Sequence, residues 1–283
     1  MAKVADEFAK VAKTYAIFRP LYPQGLIDAI TKRSSSLSLS SSSPKPLLLD
    51  IGTGSGQLAL QLAQREELSD YNVLGIDKSQ NQLEAARKRL QEIAATNSNI
   101  EERVTFREGW DTNTSAGDGE VTVVTVGQAA HWFNWDDFGK EMNRVLRKDT
   151  NSAVLLAGYG ICSVSDPKEV QPTFRKFYET MLHYWSPQCD RRSLDKGYEG
   201  NVLGNGFKQE GDIQWFPESR TVSAEDFFGY VNTWSSVSAW QEAKKSDDPD
   251  LRDELKKALE GVEEVTITFP FFLTTFSMGE QTK

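Results

Sequence analysis

At 283 residues, with 39% apolar and 26% charged side chains, the chain has room for one large α/β domain or two small ones and can bury a sizeable core. A net charge of −9, from 32 Lys and Arg against 41 Asp and Glu, argues against a broad grip on nucleic acid or an anionic membrane, though it leaves room for a local basic pocket. Two cysteines, Cys162 and Cys189, and two distant histidines, His131 and His183, give no metal-ligand spacing and read as a reduced, cytoplasmic protein.

In chain order, Val4, Phe8, Val11 and Tyr15 fall at helical spacing, so residues 3–15 are predicted as a short amphipathic helix. The charges scattered through this segment leave no apolar core for a secretory signal, and no stretch of the chain reaches membrane-span length. Pro20 and Pro23 set an extended turn, and a helix follows from Gln24 to about Lys32. The serine run 34–46 is too polar to order itself by burial and is predicted as a loop or flexible linker. LLLDI (47–51) is then a buried-type strand, followed by a helix with Leu58, Leu60, Leu62 and Ala63 among its apolar positions. NVLGID (72–77) is the next strand, and 79–95 a helix with Ser79 as N-cap. Strands are predicted at 103–109, 121–127 and 152–160, with a helix from Trp135 to Leu146 before the last of them. This alternation of apolar strands with helices predicts a Rossmann-like α/β fold whose parallel sheet is covered on both faces. Beyond residue 160 the rhythm breaks into a helix at 167–185 and a glycine-rich loop at 186–206. Strands at 211–216 and 262–272 then flank helices near 223–241 and 248–260. The whole is expected to form a single domain, 1–283, whose seven-stranded, mostly parallel sheet ends in an antiparallel pair.

The most informative stretch is DIGTGSG, Asp50 to Gly56, placed directly after a predicted strand and before a predicted helix. Gly52 and Gly54 permit a tight turn and close approach of a ligand to the backbone, and Gly56 closes the motif. Asp77 ends the second strand, where a carboxylate accepts hydrogen bonds from two ribose hydroxyls; Lys78 lies beside it. The dinucleotide pattern G-x-G-x-x-G is not met, and Asp50 would repel a pyrophosphate. An acidic loop suits a ligand with a positive end, and S-adenosylmethionine carries an ammonium and a sulfonium but no phosphate. After the third strand, Asp111 is placed to accept from an adenine amino group and Trp110 to stack on the ring; a turn acid and a packing aromatic fit the same pattern.

With these residues in place, the chain resembles the class I methyltransferases of the trans-aconitate methyltransferase type, nearest to the fungal branch that methyl-esterifies small carboxylates. The resemblance rests on YAIFRPLYP (15–23), DIGTGSG (50–56), QAAHWFNWDDF (128–138) and DFFGYVNTWSSVSAW (226–240). It implies that residues 1–33 cover the cleft, with Tyr15 and Arg19 beside the cofactor and Tyr22 near the substrate. It places Gln128 close to the methionine part of the cofactor, His131 and Trp132 beside the transfer site, and Trp234 in the wall of the acceptor pocket. It also makes the helices after residue 160 a substrate cap. Thr53 stands where relatives often hold Cys, and 160–215 matches poorly, which leaves the acceptor open.

Methyl transfer from a sulfonium is an in-line displacement that needs no metal, and orientation of the reactants can supply about 7–11 kcal/mol of its acceleration. A carboxylate acceptor is already ionised and needs a positioning cation, for which Arg19 is the candidate; a salt bridge anchoring the N-terminal turn is its other reading. A hydroxyl acceptor would instead call on His131 as general base, and a hydrogen-bonded wall histidine is the alternative to both. A cofactor-binding module without turnover is the reading outside enzymes. The partner expected is a small-molecule acceptor; oligomeric state is not legible.

Overall fold

The computed structural model describes residues 20–36, 44–148, 152–189, 191–201, 203–204, 206–245 and 248–278. The predicted helix 3–15, with Tyr15 and Arg19, and most of the serine run lie outside them. Helix α1 (Gln24–Ser35) buries Leu26, Ile27 and Ile30 and runs past the predicted end at Lys32. The extension has a local cause: Ser34 Oγ donates to the Ile30 carbonyl at 2.8 Å, and Lys32 and Arg33 complement the carboxyl end of the helix dipole.

The apolar runs then become strands and the amphipathic ones helices: β1 (Leu47–Ile51), α2 (Gln57–Ala63), β2 (Asn72–Asp77), α3 (Gln80–Ala94), β3 (Val104–Glu108), β4 (Val123–Gly127), α4 (Trp135–Val145) and β5 (Ala153–Tyr159). Helix starts are set by side-chain caps, Ser79 Oγ accepting from the Gln82 N–H and Asn134 Oδ1 from the Asp137 N–H. After these come β6 (Ser163–Asp166), α5 (Val170–Met181), α6 (Arg191–Asp195), β7 (Phe207–Gln209), β8 (Gln214–Ser223), α7 (Ala224–Asn232), α8 (Ser235–Ala243), α9 (Asp253–Ala258) and β9 (Glu264–Met278).

Two compact units divide the chain, and the break at Gly160/Ile161 falls where the strand–helix rhythm stops. The core unit holds Tyr22–Gly160, Arg192–Phe216 and the chain from Phe271. Its strands run β3-β2-β1-β4-β5 in parallel, and β5 pairs antiparallel with β9 from Tyr159↔Phe271 to Ala153↔Ser277. Strand β7 adds antiparallel to the end of β9 through Phe207↔Met278, completing the expected mostly parallel sheet with antiparallel closing strands. Leu49, Ile51, Val124, Val126, Phe138 and Met142 fill the interior between sheet and helices. Each such side chain contributes about 1.5–3 kcal/mol by leaving water.

The helical unit holds Ile161–Arg191 and Pro217–Pro270. Here β6 pairs antiparallel with the first half of β9 (Ser163↔Thr268), and Ser219 and Thr221 of β8 share hydroxyl hydrogen bonds with Thr268 and Thr266. The predicted helix 223–241 is two helices. They separate at Thr233, whose N–H and Oγ1 both donate to the Tyr230 carbonyl and end α7.

Candidate active site

Strand order puts β1 between β2 and β4, so Asp50 sits opposite Gly75 on one side and Thr125 on the other. It is 1% exposed, and its carboxylate accepts from Thr53 Oγ1 at 2.6 Å and Thr125 Oγ1 at 2.7 Å. Burial pushes the Asp50 carboxyl up to about 6, against the opposing pull of the two threonine hydroxyls; the charge of Asp77 adds to the rise. Asp50 therefore buttresses the glycine loop from beneath. Thr53, which stands where relatives often hold Cys, and Thr125, hidden inside an apolar strand, are the partners that hold it.

The loop above it turns through three glycines in the left-handed region, with φ of 66° at Gly52, 54° at Gly54 and 74° at Gly56. A Cβ at Gly52 would stand 2.6 Å from Ala129 Cβ, so only glycine lets the loop lie against the end of β4. Asp77, at the end of β2, is locked to the same loop: one carboxylate oxygen accepts from the Gly54 N–H at 2.9 Å and the other from the Ser79 N–H at 2.8 Å. Each oxygen keeps a second lone pair for a ligand hydroxyl. Beyond β3, Trp110 is 47% exposed and pairs its backbone with Asn113, while Asp111 is half-buried. Burial raises the Asp111 carboxyl, and the positive charge of exposed Lys78 opposes that rise. The carboxylates of Asp50, Asp77 and Asp111 stand against the ammonium of Lys78 and the guanidinium of Arg89, which donates to Ser55 Oγ of the loop at 3.0 Å, and this balance favours a cationic ligand over a phosphate-bearing one.

The end of β4 is built by Gln128, a non-glycine residue at φ 54°. Its side-chain amide copies a strand ladder, Oε1 accepting from the Tyr159 N–H at 2.8 Å and Nε2 donating to the Tyr159 carbonyl at 3.1 Å. Both ends of the amide are thus committed to β5, and Gln128 shapes the rim. Tyr22 is buried against the same rim: a Cβ at Gly127 would meet its hydroxyl oxygen at 2.6 Å, and its ring packs edge-on to Phe271 at 6.0 Å. One turn further on, His131 is buried with Nδ1 3.3 Å from the Tyr198 hydroxyl, and neighbouring Trp132 is 47% exposed. Tyr198, from the glycine-rich segment 186–206, carried no sequence signal.

The core unit therefore gathers Asp50, Gly52, Gly54, Gly56, Asp77, Lys78, Trp110, Asp111, Gln128, His131, Trp132 and Tyr22 at or just beyond the carboxyl ends of its parallel strands. Open α/β sheets bind ligands there. Trp234 belongs to the helical unit, where it is 5% exposed among the rings of Phe174, Phe177, Tyr178, Trp185 and Tyr230. Tyr15 and Arg19 lie outside the described residues. Among the described residues there is no cluster of His, Cys, Asp or Glu that could hold a metal ion, and no helix long and apolar enough to cross a membrane.

Residues 48–149 match the protein family described as "Methyltransferase domain". Over 278 residues the chain is 29% identical to a Dictyostelium discoideum protein named a methyltransferase by inference, covering 96% of this chain and 94% of that one. A structure of a type II methyltransferase, so named by inference, from Anaeromyxobacter dehalogenans superposes with a TM-score of 0.66 at 25% identity, over 91% of this chain and 97% of that one. The YcgJ protein of Bacillus subtilis shares the fold alone, with a TM-score of 0.51 at 14% identity over 91% and 100% of the two chains. The domain match and the sheet order liken the core unit to methyltransferases of class I, the kind whose donor is S-adenosylmethionine. The site fits that donor: a loop turned through three left-handed glycines that leaves the backbone at Gly54 open, a fixed carboxylate at Asp77, and a negative surround.

Proposed function

We propose that this chain transfers the methyl group of S-adenosylmethionine to a small-molecule acceptor, and that the acceptor is a carboxylate of a trans-aconitate-like acid, giving a methyl ester. The observation that carries the donor half is the closure of the Gly52–Gly56 loop onto Asp77 by the Gly54 N–H, in a setting whose carboxylates suit a cation. Asp77 accepts from the ribose hydroxyls through its remaining lone pairs, and Trp110 and Asp111 take the adenine by stacking and hydrogen bonding. The backbone at Gly52 and Gly54 lets the methionine part approach. When bound, the sulfonium supplies an electrophilic methyl group.

On the acceptor side a carboxylate is already ionised at neutral pH, so this chain's task is orientation. Arg19 is assigned that task through a bidentate pair, a role that comes from the resemblance of the YAIFRPLYP segment. Tyr22 and Trp132 form walls, and Trp234 belongs to the segment to which the same resemblance gives the acceptor pocket. A hydroxyl acceptor, with His131 as base, is the competing reading. The test is incubation of the pure protein with methyl-labelled S-adenosylmethionine and a panel of small di- and tricarboxylic acids and phenols. Base-labile label on the acids supports the proposal; transfer to phenols alone, or to nothing, refutes it.

A further inference from the structure

The glycine loop alternates glycine with a hydroxyl residue, Gly52-Thr53-Gly54-Ser55-Gly56, and each hydroxyl is tied to an ion. Thr53 Oγ1 donates to the Asp50 carboxylate beneath the loop at 2.6 Å. Ser55 Oγ accepts from Nη1 of Arg89, on helix α3, at 3.0 Å. In the sequence, residues 87–89 read Arg-Lys-Arg, the pattern of a solvated basic run, but the fold sends the three in different directions. Lys88 is exposed and Arg87 Nη2 donates to the Phe106 carbonyl of β3 at 3.0 Å, whereas Arg89 is half-buried on the stripe that faces the loop. Gln82, Ala86 and Arg89 make that stripe, at the i, i+4, i+7 spacing of one helix side. A Cβ at Gly54 would stand 3.8 Å from Gln82 Oε1, and one at Gly56 3.2 Å from Ala86 Cβ. The amino end of α3 is itself fixed to the site, the Ser79 N–H donating to Asp77 and Ser79 Oγ accepting from the Gln82 N–H.

We propose that Arg89 is a positioning residue for the methyl donor: its guanidinium holds Ser55, and through it the outer limb of the glycine loop, in the shape that receives S-adenosylmethionine. Asp77 fixes the loop at the Gly54 N–H and Asp50 fixes it at Thr53. Arg89 supplies the third tie, at the residue between two left-handed glycines. Glycine has the most conformational freedom to lose, so this limb needs a tie if it is to be set before a ligand arrives. The other role open to a guanidinium here is electrostatic, and it acts with the opposite sign, because a positive charge near the loop repels a cationic donor. Removing a repelling charge tightens donor binding; removing a tie loosens it. The inference deepens the donor half of the reading above and rests on it.

Two ligands separate these roles. S-adenosylmethionine carries a sulfonium charge that its demethylated product, S-adenosylhomocysteine, lacks, while the adenosine and amino-acid parts are shared. Calorimetric Kd values on the full chain are compared for the wild type, Arg89→Met, Ser55→Ala and the double variant, each shown to be folded by urea unfolding. Arg89→Met keeps an unbranched side chain on α3; Ser55→Ala leaves the guanidinium charge in place and removes only the hydroxyl. Each single variant is expected to weaken both ligands by the same factor, about fivefold, and the double variant to lose no more than either alone. Arg89→Lys stands in where Arg89→Met does not fold: it keeps the charge without the reach of Nη1, and it too is expected to weaken both ligands. Tighter donor binding with product binding unchanged, a wild-type Kd in either single variant, or losses that multiply in the double variant would overturn the proposal. A wild-type chain that binds neither ligand would remove the donor reading itself, and this inference with it.

Discussion

Replacing Asp50 by Asn tests whether the glycine loop is built over a carboxyl group that resists ionisation. Burial holds this carboxyl at about 6 where an exposed aspartate sits near 3.8. Between those values the native state binds a proton that the unfolded chain has released, so native stability falls as pH rises through the window and levels off above it. At about 1.4 kcal/mol per pH unit, the loss is about 3 kcal/mol. Asparagine carries no charge to desolvate, and its amide can still be satisfied because the Thr53 and Thr125 hydroxyls rotate to donate or accept. Urea unfolding of both proteins from about pH 4 to pH 8 supplies the comparison, and groups common to both cancel in the difference. Asp50→Asn is expected to gain on the wild type by about 2 kcal/mol as pH rises from 4 to 6.5, because part of the loss already lies below pH 4, and to hold that margin above. The variant should also bind S-adenosylmethionine less tightly, since it lacks a negative charge near a cationic ligand; stability and function would trade against each other here. Parallel stability curves across the whole range would refute the reasoning.

Gly52→Ala and Gly204→Ala share a φ of 66°, but a Cβ at Gly52 would meet Ala129 Cβ at 2.6 Å whereas, among the described residues, nothing lies within 4 Å of one at Gly204. The Gly204 variant should therefore lose only the left-handed penalty of about 1–2 kcal/mol, and the Gly52 variant more than that, by chemical denaturation; equal losses would mean that the loop does not press on β4. Arg19→Ala is expected to lower kcat/KM about tenfold or more on a carboxylate acceptor and much less on a neutral one. Equal loss on both would argue for a merely structural arginine.

The parallel half of the fold was legible because its strands are apolar nearly throughout and end in glycine or aspartate. LLLDI and NVLGID form strands with the bounds read from the sequence. The antiparallel end was harder. Phe207–Gln209 is a three-residue strand inside a glycine-rich segment, too short to show a period. Strand β9 runs to Met278, six residues past the apolar stretch, because Thr274 and Thr275 are buried as polar residues and the Thr274 hydroxyl is satisfied by a backbone carbonyl. The donor side of the site was similarly open to reading, since Asp50, the glycines and Asp77 are consecutive or at strand ends. What escaped was contact at long sequence distance: Thr125 beneath Asp50, Tyr159 on Gln128, and Tyr198 on His131, 67 residues away. Gln128 in particular is spent on β5, which motif position alone does not reveal.

Calorimetric titration of the purified chain with S-adenosylmethionine goes most directly to the central claim, that the loop from Asp50 to Gly56 and Asp77 form a cationic-nucleoside site. The account expects one saturable site, weakened at least about tenfold by Asp77→Ala through loss of charged hydrogen bonds to the ribose, in a variant whose folding is checked by urea. Absence of binding at saturating donor, or binding of NAD in its place, would contradict it.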